Sequence, residues 1–301
     1  MPELPEIETI KLGLRKLLIG HKIEDVQINI PKMFVGDKKD IIGAKIIDLK
    51  RIGKGLIIEL DNGFDVAVHL KMTGQLVYRD EKTKDLILSA KVGGATLPSK
   101  YTHIIFKLKA ISGKQQVGSY LYYNDLRQFG WVKVVKKDDL FKMLFFKEMG
   151  PEPKVGEDLA GKELTFDYFK EVVLKGNLPI KLILMDQKKI GGIGNIYANE
   201  ALFKAGILPT RKGKTLSEKE IKDLYEAIFS VLRLALKYGG SSDENYVNAL
   251  GQEGNYQKHT MVYGREGEKC PCSPRGEAGG GIIRKIKLGG RGTYFCPNCQ
   301  K

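Results

Sequence analysis

The apolar residues of this chain change their period once, near the segment MGPEPKVGEDL. Before it, EDVQINI, GLIIEL, FDVAVHL, THIIFKL and YLYYNDL are short, β-branched or aromatic, and broken by turn residues, so they read as strands. Asp61-Asn62-Gly63 between the second and third is a hairpin signal, because a tight primed turn needs positive φ at its central positions. After the change the spacing is helical. Ser217 and Glu220 form a capping box that opens SEKEIKDLYEAIFSVLRLALKYGG; Ile221, Leu224, Ile228, Leu232 and Ala235 make its buried face, and Gly239 and Gly240 close it. A strand-rich half followed by a helical half is an α+β arrangement. The strand-rich half has its own helix in front, from Pro5 to Leu18, with Ile7, Ile10, Leu14, Leu17 and Leu18 at helical spacing and Gly20 at its end. That helix is expected to lie on a β-sandwich or barrel reaching to about Val135, with the polar, turn-rich stretch from Arg79 to Lys100 as a surface loop. No internal repeat is present.

A chain of 301 residues with 42% hydrophobic content can build one large core or two modest ones. The net charge of +14 favours a polyanionic partner, since neutralising phosphates releases counterions, but charge alone does not separate nucleic acid from an anionic membrane or a ribosome. Glu3, Glu6, Glu8, Lys11 and Arg15 interrupt any secretory apolar region, and no later run reads as a membrane span, so the expected location is the cytoplasm. All four cysteines, Cys270, Cys272, Cys296 and Cys299, sit in the C-terminal tail. In a reducing compartment such pairs are zinc ligands sooner than disulfides, and a small segment with little core of its own needs that staple.

The N-terminus carries the most unusual chemistry. Pro2 is small enough for Met1 to be removed, which leaves a secondary amine as the chain's first group. An α-amino group titrates near pH 8, so a useful fraction is neutral and nucleophilic. Attack on a sugar C1′ gives an iminium that cannot neutralise itself by losing an N–H proton; it acts as an electron sink and acidifies the C2′ proton. Glu3 is placed to exchange protons with the sugar, and Glu6, one turn on, to orient the site. Proline and glutamate are also ordinary first-turn residues of a helix, and in isolation that reading competes. In a chain that keeps Met1 the proline nitrogen is an amide and the nucleophile does not exist.

The full opening string PELPEIET resembles the amino terminus of the formamidopyrimidine-DNA glycosylase (Fpg) family, and the similarity continues along nearly the whole chain. The resemblance implies Pro2 as nucleophile, Glu3 as general acid/base and Glu6 as a further residue needed for activity. Leu4 stands where the endonuclease VIII branch has glycine and so points to the purine-lesion branch. KRIGKGLIIEL resembles the family hairpin whose tip lysine, Lys54 here, reaches active-site phosphates. HLKMTGQL and YYNDLRQFGW resemble the segments that fill the hole left by an extruded base, through Met72, Arg127 and Phe129. Without the resemblance, Lys54 reads as solvated surface and Met72 and Phe129 as core.

LMDQKKIGGIGNIYANEALFKAGILPTR resembles the family's helix-two-turn-helix. Gly191, Gly192 and Gly194 allow tight turns there, Asn195 opens the next helix to hold a phosphate, and Glu200 matches a supporting carboxylate. A nucleotide-binding glycine loop is the rival, and fails because these glycines follow a helical stretch and not a strand. IIRKIKLGGRGTYFCPNCQK resembles the zinc hairpin whose arginine, Arg291, grips phosphates. Three departures stand out: Lys71 for the family arginine, Tyr101 for the more usual histidine, and Cys270-Pro-Cys272 with an inserted spacer where the family has CxxC, which puts the metal geometry in question.

The expected organisation is an N-terminal catalytic β-sandwich domain at 1–136, a linker at 137–149, a helix-two-turn-helix domain at 150–240, a lesion-recognition loop at 241–264 and a zinc-finger hairpin at 265–301. The loop has no strong period of either kind, and the part from Tyr246 to Tyr256 is expected to cover an extruded base. The implied activity is a bifunctional glycosylase and AP lyase that excises 8-oxoguanine and formamidopyrimidines from duplex DNA, as a monomer with one structural zinc ion. Two alternatives stand beside it: an endonuclease VIII-like preference for oxidised pyrimidines, and a DNA-binding protein that does no chemistry.

Overall fold

A computed structural model describes residues 1–112, 115–156, 159–271 and 281–301. The chain forms two compact units, one made of Met1–Lys147 with Leu236–Gln257 and the other of Glu148–Ala235 with Lys258–Lys301.

In the first unit, helix α1 (Leu4–Leu18) begins on a capping box between Glu3 and Glu6, with proline in its first turn. Nine strands follow: β1 (Lys22–Ile28), β2 (Phe34–Val35), β3 (Ile46–Ile52), β4 (Gly55–Leu60), β5 (Phe64–His69), β6 (Gly74–Arg79), β7 (Thr102–Ser112), β8 (Gln115–Asp125) and β9 (Trp131–Lys136). They build two sheets, ordered β1-β7-β8-β6 and β2-β9-β5-β4-β3. Alternate residues of both sheets enter one core: Val26, Leu76, Phe106 and Leu121 from the first, Leu49, Ile58, Val66 and Val132 from the second, with Ile7, Ile10 and Leu14 of α1. Period-2 alternation on two facing sheets is the sandwich expected from the sequence.

The second unit holds α3 (Phe166–Leu174), α4 (Ile180–Met185), α5 (Asn195–Lys204), most of α6 (Glu218–Lys237) and the hairpin of β10 (Arg284–Leu288) with β11 (Arg291–Phe295). The short α2 (Leu144–Lys147) ends the first unit's N-terminal part. The α6 capping box forms as its sequence demands, with the Ser217 amide donating to Glu220 at 2.8 Å and the Glu220 amide to the Ser217 hydroxyl at 3.3 Å. No helix among the described residues is long and apolar enough to cross a membrane.

Four strands of the first unit, β2, β3, β6 and β9, have no counterpart among the sequence-based strand segments. In β3, IIDLKRI is broken by charges, and β6 starts at a glycine. One of the charges in β3 is buried: Arg51, together with Lys11 of α1, pairs with the fully buried Glu8, at 2.8 and 2.7 Å. The stretch from Arg79 to Lys100 is also more than a surface loop. Arg79 and Val92 are buried, and Val92 packs with Val77 and Val247.

Candidate active site and nucleic-acid contacts

At the head of α1, Pro2, Glu3 and Glu6 are all buried, and Glu3 and Glu6 also form the capping box that an ordinary helix start uses. Glu6 is shared: Oε2 accepts the Glu3 amide at 2.7 Å and Oε1 the Ser241 amide at 2.8 Å. The carboxylate therefore fixes both the capping turn and the start of the 241–257 segment. It also acts at a distance, since burial and then the Glu6 charge push the Tyr246 hydroxyl well above its ordinary range. With Met1 in place, its ammonium pairs with Glu244 at 2.7 Å.

Lys54 lies in the β3–β4 turn and is buried, so the solvated reading of this lysine is wrong. Arg51 braces the turn, donating from Nη1 to the Gly53 carbonyl at 3.0 Å while its Nε holds Glu8. Nearby, burial, then the charges of Lys71 and Lys54, hold His69 down at about 3. A neutral His69 accepts the Lys71 amide on Nδ1 at 2.9 Å and so shapes the turn that carries Met72.

That turn and the one carrying Arg127 and Phe129 are latched together. The Thr73 hydroxyl donates to buried Asp125 and accepts the Arg127 amide at 3.0 Å; Asp125 also accepts the amides of Arg127 at 3.1 Å and Gly130 at 2.8 Å. Gly130 has no substitute, because a Cβ there would lie 2.0 Å from the Tyr123 hydroxyl. Lys71 and Gln128 both hold positive φ, at 51° and 56°, a strained conformation at each turn. The product is an offered surface: Arg127 is exposed, Phe129 is 55% exposed with the Arg127 guanidinium 4.8 Å from its ring centroid, and Met72 is half-buried. Phe129 is thus not core. Thr73 and Asp125, which hold the two turns together, are contacts that sequence reasoning missed, although both lie inside the segments it singled out.

In the second unit, Gln187 stitches the two turns between α4 and α5, donating to the carbonyls of Met185 at 2.9 Å and Ile193 at 2.7 Å and accepting the Gly192 amide at 3.0 Å. Gly192 has φ +86°, and a Cβ on Gly191 would meet the Gly150 carbonyl at 2.8 Å. Asn195 is the first residue of α5, half-buried, and its side-chain oxygen has no hydrogen-bond partner among the described residues. Arg291 is exposed at the start of β11, after Gly289 and Gly290, both at positive φ. Its strand is held from both sides by residues the sequence did not flag: Lys181 Nζ donates to the Gly292 carbonyl at 2.8 Å and the Thr293 hydroxyl at 2.7 Å, and Asn199 Oδ1 accepts the Tyr294 amide at 2.9 Å. A lysine inside the apolar run IKLILM was the available signal for Lys181.

Glu200 is fully buried in α5, which excludes a solvated helix charge. It accepts the amides of Met261, Val262 and Tyr263 at 2.6, 2.9 and 2.8 Å. Burial still outweighs those bonds and raises its pKa. Met261 and Val262 in turn pack against the cysteine cluster.

Cys270 and Cys296 are buried; the Cys299 sulfur lies 3.6 Å from that of Cys270 and 3.5 Å from that of Cys296. All three sulfurs fall within 4.8 Å of one another. Thiolates on one tetrahedral zinc, at Zn–S of about 2.3 Å, stand about 3.8 Å apart, so the donor set fits one structural zinc ion. The fourth expected ligand, Cys272, lies outside the described residues.

A helix-headed β-sandwich in one unit, with a helix-two-turn-helix and a cysteine-held hairpin in the other, is the architecture of a class of DNA-repair glycosylases. Family models match in the same order: the formamidopyrimidine-DNA glycosylase N-terminal domain at 1–132, the formamidopyrimidine-DNA glycosylase H2TH domain at 149–246, and the zinc finger found in FPG and IleRS at 280–301. The chain is 39% identical to the formamidopyrimidine-DNA glycosylase of Pelotomaculum thermopropionicum, covering 100% of this chain and 99% of that one, and 37% identical to that of Listeria monocytogenes, covering 100% of both. The structure is similar to Lactococcus lactis Fpg in complex with abasic-site DNA (TM-score 0.82, 33% identity, 99% of each chain). It is also similar to the same species' wild-type enzyme in complex with oxidised-pyrimidine DNA (TM-score 0.81, 34% identity, 100% of each). The chain belongs to the formamidopyrimidine-DNA glycosylase family.

Proposed function

We propose that this chain excises oxidised purines from duplex DNA and then opens the abasic site, with the amine of Pro2, freed by removal of Met1, as the nucleophile. The observation that carries the reading is the buried Pro2-Glu3-Glu6 head of α1, in a chain that belongs to a DNA glycosylase family along its whole length.

The Pro2 nitrogen forms a bond to C1′ as the C1′–N bond to the damaged base breaks; the base leaves with the electron pair and takes a proton. Opening of the sugar ring, with Glu3 supplying the proton to the ring oxygen, converts the adduct to an iminium. Loss of the C2′ proton sends an electron pair through to the iminium and expels the 3′ phosphate; a second loss, from C4′, expels the 5′ phosphate, and water releases Pro2. Glu6 keeps Glu3 at the helix head. Lys54, Asn195 and Arg291 hold phosphates, while Met72, Arg127 and Phe129 fill the space of the extruded nucleotide and offset the unstacking cost of a few kcal/mol. Glu200 supports the site indirectly, by holding the turn at 261–263. The part of the 241–264 loop from Tyr246 to Tyr256 partly covers the extruded base. Cys270, Cys272, Cys296 and Cys299 hold zinc, whose chemistry is to fix the hairpin of Arg291 and not to react. The enzyme works as a monomer on the DNA of the cytoplasmic nucleoid.

Borohydride trapping tests the reading. Processed protein incubated with a duplex bearing 8-oxoguanine, then reduced, is expected to yield a covalent protein–DNA complex, and protein that retains Met1 none. Parallel duplexes with an oxidised pyrimidine and with an abasic site set the substrate range. Failure to trap on all three would leave a DNA-binding protein without lyase chemistry.

A further inference from the structure

The 241–257 segment is an irregular loop, yet it is tied down along its length. Its ends meet: the amides of Asn255 and Tyr256 donate to the carbonyls of Tyr238 at 2.9 Å and Gly240 at 3.0 Å, and a Cβ on Gly254 would lie 2.3 Å from the Gly240 carbonyl oxygen. The Ser242 hydroxyl crosses the interior, donating to the Tyr246 carbonyl at 2.8 Å and accepting the Gly254 amide at 2.9 Å. Such a closed, self-packed loop still needs outside contacts to set its position. One is Glu6, through Ser241. Others come from the 75–91 stretch of the same unit.

There, Arg79 donates from Nη1 and Nη2 to the Leu250 carbonyl, each at 3.1 Å. The Ser89 amide donates to the Gly251 carbonyl at 2.9 Å and its hydroxyl to Glu253 at 2.6 Å. Buried Gln75 joins the carbonyls of Lys91 at 2.8 Å and Asn245 at 2.7 Å through one amide nitrogen. Lys91 closes the set: its ammonium donates to the Ser242 carbonyl and pairs with Glu253 at 3.0 Å. One cation therefore spans both the outgoing and the returning strand of the loop. A lysine suits that task, since its charge satisfies a carbonyl and a carboxylate together at the loop's neck.

We propose that Lys91 is a positioning residue for base removal, holding the 241–257 loop in the conformation that covers an extruded base. The proposal rests on the reading above that this loop covers the base. It separates the two halves of the reaction. Excision requires the loop to be set against a base, whereas elimination at an abasic site has no base to cover. Lys91 is the informative residue because it is half-exposed and Glu253 is exposed, so its loss strands no buried charge. Arg79, deeply buried, would confound position with folding.

The test uses Lys91→Met and Lys91→Arg in full-length, processed protein under single-turnover conditions. Lys91→Met is expected to excise 8-oxoguanine at least tenfold more slowly while cleaving a duplex with a preformed abasic site within twofold of wild type. Lys91→Arg is expected to stay within twofold on both. Deuterium uptake at the amides of 241–257 is expected to rise in Lys91→Met. Equal loss of both activities, or loss of neither, overturns the proposal. Should the wild-type protein remove no base at all, the reading of the loop's task fails, and unchanged uptake in Lys91→Met would then overturn Lys91 as its anchor as well.

Discussion

At the scale of single residues, two buried acids pull in opposite directions. Glu8 is compensated twice, by Lys11 and Arg51, and Arg51 also holds Gly53, beside Lys54. Removing one partner of a buried ion network leaves the others uncompensated, which typically costs about 3–5 kcal/mol. Glu8→Ala is therefore expected to lower the unfolding free energy by about that amount, read from denaturant melts, and Glu8→Gln by a large part of it. Asp65 is the reverse case. It stands opposite Glu59 across β4 and β5, buried, with neither carboxylate oxygen bonded among the described residues. Burial, and after it the charge of Glu59, push its carboxyl up to about 6, well above the ordinary range of an aspartate. The folded state then holds a proton that the unfolded chain has released between about pH 4 and 6. Stability consequently falls as pH rises through that window, and the penalty stays in full above it, at up to about 3 kcal/mol. Asp65→Asn is expected to raise the melting temperature at pH 8 and to change it little at pH 4.

At the scale of elements, the readable parts of the sequence were those where local pattern and final environment agree. GLIIEL became β4 residue for residue, and the capping box of α6 formed as written. The α1 head was legible as a helix start, since Glu3 and Glu6 form its capping box and Pro5 stands in its first turn. What stayed hidden was set by distant partners. Arg51 and Lys11 look like surface charges until Glu8 is placed between them, and Lys181, odd only for lying in an apolar run, and Asn199 gain their partners when the β10–β11 hairpin arrives beside α4 and α5. The same logic governs the zinc element. Its own apolar cluster is small, built around Phe203, Val262 and Ile283 with the cysteines, so the metal supplies much of the folding free energy of the hairpin. Cys299→Ser, or chelation, is expected to raise deuterium uptake across 284–295 and to abolish tight DNA binding, while the melting of the β-rich unit stays put.

At the scale of the whole molecule, the charge of +14 is an argument about affinity and not about sequence reading. Binding to duplex DNA is expected to weaken log-linearly with salt, by a slope of about 0.9 per phosphate neutralised. The proposed contacts then fall into two groups. Arg291 is exposed, with no carboxylate paired to it among the described residues, so Arg291→Ala should reduce the slope by about 1 and weaken binding to damaged and undamaged duplex alike. Phe129 carries no charge and presents its ring to solvent, so Phe129→Ala should leave the slope unchanged and instead lower affinity for the extruded, lesion-bearing duplex by about 1–3 kcal/mol, the scale of one base-stacking contact. Titrations at several salt concentrations, on matched duplexes with and without an abasic-site analogue, separate the two. If Phe129→Ala weakens both duplexes equally, the ring serves as general adhesion and the wedge assignment fails. If Arg291→Ala leaves the slope intact, the hairpin arginine does not touch phosphate, and the phosphate contacts of the second unit reduce to the helix start at Asn195.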